Sequence, residues 1–190
     1  MDIHYTAVTT REEVDQILAL QGLNLAPSLS PEAIASQGFV TVRHDSEVLW
    51  RMNQRRGSTI ARADAQLAGY CLVMLREFAP DIPILQPMFN LLEGLSWRGK
   101  PLSAMAWFVM GQVCVAAPFR GQGVFDGMYR HLCRHCRDEF ELVVTEISSR
   151  NPRSLRAHAR VGFELIHRFT DRSTGEEWHI VGRELNSVPT

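Results

Sequence analysis

The feature that most constrains this chain is a junction in its second half. A nearly continuous apolar run over 107–116 gives way to Pro118-Phe-Arg-Gly-Gln-Gly123. Beyond it, Phe125, Met128, Tyr129, Leu132 and Cys136 recur at helical spacing. The apolar run reads as a strand buried on both faces. A strand, a glycine loop and a helix in that order form an anion site. The first helical N–H groups point outward unpaired, and the helix dipole adds about half a positive charge there. Gly121 and Gly123 let a phosphate approach the backbone with no Cβ in the way. A pyrophosphate is the natural guest. Two better-known phosphate loops do not fit. There is no Gly-x-x-x-x-Gly-Lys-Ser/Thr, and Gly121-Gln-Gly123 lacks the third glycine of the dinucleotide fingerprint. Alone, the two glycines serve a plain structural turn equally well.

The surrounding pattern predicts an α/β domain with a mixed sheet. A strand is expected over 3–8. Thr10-Arg-Glu-Glu13 is a capping box, in which side chains at both ends satisfy each other's backbone donors. The helix it opens carries Val14, Ile17, Leu18 and Gln21 and stops at Gly22. Ser30-Pro31 starts a short helix that ends near Gly38, and 39–43 is extended. Asp45 or Ser46 caps a third helix with Val48, Leu49 and Met52 on one face and Gly57 at its end. Paired strands follow over 59–64 and 69–76. Residues 80–102 hold four prolines and read as irregular, with a helix around 89–95. After the glycine-loop helix come a strand over 142–148, a helix opened by Asn151-Pro152 and ended by Gly162, and strands over 163–169 and 177–183.

In that setting, Arg120-Gly121-Gln122-Gly123-Val124 resembles the acetyl-CoA loop of the GNAT superfamily, whose pattern is Arg/Gln-x-x-Gly-x-Gly/Ala. Arg120 and Gly123 match, and Phe125 departs where Gly or Ala is usual. That departure shapes either the helix–sheet contact or the width of the cofactor cleft. Further on, Asn151-x-x-Ser154-x-x-Ala157-His158-x-Arg160-x-Gly162-Phe163 is similar to the family's Asn-x-x-Ala-x-x-Leu-Tyr-x-Lys-x-Gly-Phe segment. Asn151, Gly162 and Phe163 match, Ser154 and Arg160 are conservative changes, and His158 stands in for the Tyr. The resemblance is firm over 107–169. It implies a single GNAT-like domain over 1–190, a mixed and mostly antiparallel sheet flanked by helices, and a splayed central strand pair.

The resemblance also implies the chemistry, which is transfer of an acetyl group from acetyl-CoA to an amine. Backbone N–H groups of Val113, Cys114 and Val115 would face the thioester, and losing one such donor costs roughly 2.7–4 kcal/mol in well-studied hydrolases. Arg120, Gly121, Gln122, Gly123, Val124 and Phe125 would hold the pyrophosphate end, with Asn151 and Ser154 along the pantetheine arm. His158 would take over the Tyr role of protonating the CoA sulfur, as an imidazole titrating near neutrality. The general base is not on the strand before the loop, because 107–116 holds no carboxylate. By period-two alternation Glu146 shares a face with Val144 and Ser148, which makes it the candidate, with His44 and ordered water left open.

Other patterns weigh less. Cys133-Arg-His-Cys136 has no second cysteine pair, so structural zinc is not expected and no metal is assigned. One of Arg150, Arg153, Arg156 or Arg160 would reach a CoA phosphate, or all are solvated. Trp97, Trp107, Met88 and Phe89 form either an apolar acceptor wall or ordinary core. Twenty basic and 21 acidic residues give a net charge of -1, which offers no case for nucleic acid or an anionic membrane. No apolar stretch reaches the roughly 18 residues of a membrane span. Met1 to Thr6 lacks the order of a signal peptide, so a cytoplasmic protein with reduced thiols is expected. The acceptor is expected to be a small-molecule amine. A protein N-terminus or lysine, and a CoA-binding regulatory module without catalysis, stay open beside it. A homodimer through sheet edges is implied by the resemblance alone.

Overall fold

The computed structural model describes residues 2–30, 32, 34, 38–172 and 174–186. The helix expected from Ser30 to Gly38 falls largely outside them. Among the described residues no helix is long and apolar enough to cross a membrane.

The first elements form where local chemistry says they should. Strand β1 spans Ile3–Ala7 and helix α1 spans Arg11–Gly22. Thr10 Oγ1 accepts from Glu13 N at 3.2 Å, and Glu13 Oε2 accepts from Thr10 N at 3.0 Å, so the capping box is complete. The helix runs through Gly22 and buries Val14, Ile17, Leu20 and Gln21. Helix α2, Ser46–Arg55, starts at Asp45, whose carboxylate accepts from Glu47 N and Val48 N. Strands β2, Thr59–Ala63, and β3, Gln66–Met74, form a hairpin.

The segment before the central strand is more ordered than its prolines suggest. Helix α3 spans Gln86–Leu92, three residues earlier than expected, because Pro87 sits in its first turn, where a missing N–H is harmless. A two-residue hairpin follows, β4 at Ser96–Trp97 and β5 at Lys100–Pro101. Met88, Phe89, Trp97 and Trp107 are all buried, and Phe89 stacks on Trp107 with ring centroids 6.3 Å apart. These residues are core, the second of the two readings left open by the sequence.

The remaining elements are β6 (Trp107–Val115), α4 (Val124–Cys136), β7 (Leu142–Ser148), α5 (Pro152–Arg160), β8 (Glu164–Thr170) and β9 (Glu177–Glu184). One seven-stranded sheet runs β1-β2-β3-β6-β7-β9-β8. Every neighbouring pair is antiparallel except β6 and β7, which are parallel. Helices α1 and α4 cover opposite faces. Gly69 of β3 faces Met128 of α4, while Tyr70 beside it bonds Gln112, which also accepts from Gln21 of α1. Neighbours along a strand point to opposite sides.

Two irregularities in β6 make room for a site. Pairing with β7 covers only Trp107↔Leu142, Phe108↔Val143 and Val109↔Val144; from Met110 onward the strands diverge. Thr145 Oγ1 donates to Met110 O at 2.9 Å, pinning the point of divergence. On the other edge, the register with β3 shifts between Cys71↔Val113 and Val73↔Met110, so β6 bulges by one residue at Gly111-Gln112. The central pair is therefore splayed, and the bulge lies at the opening.

Candidate active site

Two cavities meet at the splay. The larger, about 550 Å³, runs from the loop before α4 along β6 to the start of α5. Its size lies within the usual range of ligand sites. Val113, Cys114, Val115, Arg120, Gly121, Gly123, Val124, Phe125, Asn151 and Ser154 all line it. Gln122 does not; its amide turns back to donate to Pro118 O at 2.7 Å. The smaller cavity, about 80 Å³, lies between the diverging strands and is lined by Gln112, Thr145, Glu146, His158 and Trp178 among others. Phe39, Val40, Val113, Asn151 and Ser154 border both cavities.

The loop end of the large cavity is shaped for an anion. Gly121 and Gly123 both have φ of +76°, a left-handed backbone that side chains resist. Gly123 is the N-cap of α4, and no side chain caps that helix. Its first N–H groups therefore keep the donors that a phosphate takes. Arg120 bonds Val115 O through Nε at 3.0 Å and Asn24 Oδ1 through Nη2 at 2.7 Å. It ties the loop to the end of β6. Asp126, in the first turn of α4, is paired with Arg160 at 2.6 Å, which offsets a carboxylate that would otherwise repel an anion. Arg153 and Arg156 of α5 also line the cavity. Arg150 lies elsewhere, paired with Glu176 at 2.5 Å.

The α5 end is held by Asn151. Its Oδ1 accepts from Ser154 N at 3.1 Å and its Nδ2 donates to Phe39 O at 3.3 Å. One side chain thus caps α5 and fastens the opposite wall.

Glu146 sits on the β7 wall of the small cavity. Burial, and then the negative charge of Asp171, raise its carboxyl from 4.5 to about 7. A carboxyl titrating there exchanges protons at neutral pH.

His158 is not the near-neutral imidazole expected from the sequence. Burial pulls it down to about 4, and both ring nitrogens are engaged inside the protein. Nε2 lies 2.7 Å from Tyr129 Oη, and Nδ1 lies 2.8 Å from Ser154 O. Phe125 and Phe163 close its flanks with edge contacts at 5.2 and 5.1 Å. Proton donation to the sulfur by a cationic His158 is corrected on this ground.

His44 is also buried and lowered to about 4, and it borders neither cavity. It belongs to a polar cluster in which Gln21 Nε2 contacts His44 Nδ1 at 2.9 Å and donates to Gln112 Oε1 at 2.7 Å. Tyr70 Oη donates to the same oxygen at 2.6 Å, and Gln112 Nε2 donates to Val42 O at 2.8 Å. Cys133 and Cys136 are buried free thiols on the α4 face that packs into the core.

Known proteins share this fold. The acetyltransferase (GNAT) family matches residues 28–163, most of the sequence. The chain belongs to the GNAT family. As a GNAT enzyme it is an acetyl-CoA-dependent N-acetyltransferase. No curated protein sequence matches it. Among solved structures, the ribosomal-protein-S18-alanine N-acetyltransferase of Escherichia coli superposes with a TM-score of 0.64 at 8% identity, over 98% of this chain and 96% of that one. The Salmonella typhimurium acetyltransferase yncA, solved with acetyl-CoA, gives 0.63 at 12% identity over 100% and 98%. An N-acetyltransferase from Staphylococcus aureus gives 0.60 at 12% over 98% and 100%. At these identities the likeness shows the fold.

Sequence reasoning missed several residues of this GNAT site. Phe39, Val40 and Trp178 border the cavities from segments far from either motif. Gln112 carried a readable signal. It is a lone amide in an apolar run beside Gly111, and a buried amide must find partners.

Proposed function

We propose that this acetyltransferase moves an acetyl group from acetyl-CoA to the primary amine of a small molecule, with Glu146 as general base. The observation that carries the reading is Glu146 itself. It is a carboxyl held near pH 7, in a cavity of about 80 Å³ that opens onto the larger one. A free primary amine has a pKa near that of lysine, about 10.4, and arrives as ammonium. It attacks only after losing a proton, and Glu146 would take it.

The remaining residues divide the work. Gly121, Gly123 and the start of α4 would hold the pyrophosphate. Asn151, Val113 and Val115 would guide the pantetheine arm to the seam of the cavities. Beyond Val109 the β7-facing edge of β6 is free of its neighbour, which leaves backbone donors there for a developing oxyanion. Phe39 and Trp178 would flank the amine and exclude water. The small volume of the second cavity supports a compact acceptor head.

Calorimetric titration with acetyl-CoA, followed by a screen of amines for CoA release, tests this. One-to-one binding and turnover of small amines is the expected result. Turnover of peptide N-termini alone would replace the acceptor. No binding at millimolar acetyl-CoA would overturn the reading.

A further inference from the structure

A chain of hydrogen bonds leads from the core to the seam between the cavities. Tyr129 of α4 is fully buried, and its hydroxyl lies 2.7 Å from His158 Nε2. His158 Nδ1 lies 2.8 Å from the Ser154 carbonyl, which can only accept. The ring proton therefore sits on Nδ1, and Nε2 accepts from Tyr129; the network assigns the tautomer. Nδ1 is also 3.2 Å from Ser154 Oγ, so that oxygen receives part of the same N–H. Its own hydroxyl proton is then directed away from the ring. Ser154 borders both cavities, and among the five residues that do so it alone carries a hydroxyl. The Asn151 amide, beside it, is committed to Phe39 O and Ser154 N.

We propose that Ser154 is the residue that hydrogen-bonds the sulfur of the departing CoA thiolate, with His158 and Tyr129 as positioning residues that keep its hydroxyl proton on the cavity side. The proposal rests on the acetyl transfer described above. The ammonium first loses one proton through Glu146 to solvent; the neutral amine nitrogen then bonds to the acetyl carbon, and its second proton goes to Glu146. The carbon–sulfur bond breaks, and the electron pair stays on sulfur. Ser154 keeps its proton and lends a hydrogen bond to the new charge. No stronger acid is required, because a thiol has an ordinary pKa of about 8.5 and its anion leaves readily. Hydrogen bonds to charged acceptors are the strong ones, so the effect falls mainly on the thiolate.

The test compares CoA with desulfo-CoA, in which hydrogen replaces the thiol. Calorimetry at about pH 9 keeps the thiol largely ionised. The unsubstituted protein should bind CoA about tenfold tighter than desulfo-CoA. Ser154→Ala should erase that preference, while retained binding of desulfo-CoA reports an intact fold. Ser154→Thr should keep the preference. His158→Phe, which keeps the ring contacts and removes the hydrogen bonds, should reduce it. In turnover, Ser154→Ala should lower kcat about tenfold at constant acetyl-CoA KM, with Ser154→Thr restoring it. A preference that survives Ser154→Ala, or is lost equally in Ser154→Thr, overturns the proposal and leaves the acetyl transfer standing. If neither ligand binds the unsubstituted protein, both readings fall together.

Discussion

Glu146 joins catalysis to stability, and Glu146→Gln separates the two by pH. In the folded protein the carboxyl titrates near 7, against 4.5 when solvated. A carboxyl whose folded value is raised contributes stability that is fully present below the unfolded value and lost as pH rises through the folded one. Stability therefore falls from pH 4.5 to about 7, where the unfolded carboxyl is ionised and the folded one still holds its proton, and stays at the lower level above it, where Glu146 is ionised in the fold as well. At 1.36 kcal/mol per pH unit, the cost is about 1 kcal/mol at pH 5.5 and about 3 kcal/mol at pH 8.5. Gln matches the shape of Glu and carries no charge. The variant should be more stable than the parent at both pH values, with the gap widening by about 2 kcal/mol between them.

For a domain of this size about 1 kcal/mol moves Tm by roughly 2–4 °C, so the widening is about 4–8 °C in a thermal melt. The same substitution removes the base, and turnover should fall about 10²–10⁴-fold. Acetyl-CoA affinity should hold, because Glu146 does not line the larger cavity. The parent's kcat should rise through pH 7 as the carboxyl ionises. Melting curves of parent and variant that stay parallel from pH 5.5 to 8.5 would refute the argument, since they would mean a solvated carboxyl with an ordinary pKa.

Three further outcomes follow from the geometry. Gly123→Ala forces a side chain into a φ of +76° at the cap of α4, which costs about 1–2 kcal/mol; acetyl-CoA Kd should rise about tenfold by calorimetry. Arg160→Ala leaves Asp126 unpaired at the anion site, so acetyl-CoA binding should weaken about fivefold at low salt and less at high salt; adding Asp126→Asn should restore it. Gly69→Ala drives a Cβ to 2.8 Å from the Cys114 carbonyl, a backbone atom that cannot swing aside; urea unfolding should show a loss of about 1–3 kcal/mol.

What could be read from the sequence was what is settled within a few residues of chain. The Thr10–Glu13 box, the Asp45 cap, the Asn151-Pro152 start and the two left-handed glycines are each complete local statements of backbone chemistry. They placed the helices, and through them the wall of the larger cavity. Local reasoning fails where distant segments share one environment. Gln21 and Gln112 are 91 positions apart and share a hydrogen bond. Tyr129 stands 29 positions before His158, and its hydroxyl lies 2.7 Å from the imidazole Nε2. Two of the departures from the family pattern, Phe125 and His158, looked unrelated in sequence. In the fold their rings meet edge to face at 5.2 Å. Ser154, one helical turn earlier on the same face, carries a hydroxyl that position 158 lacks.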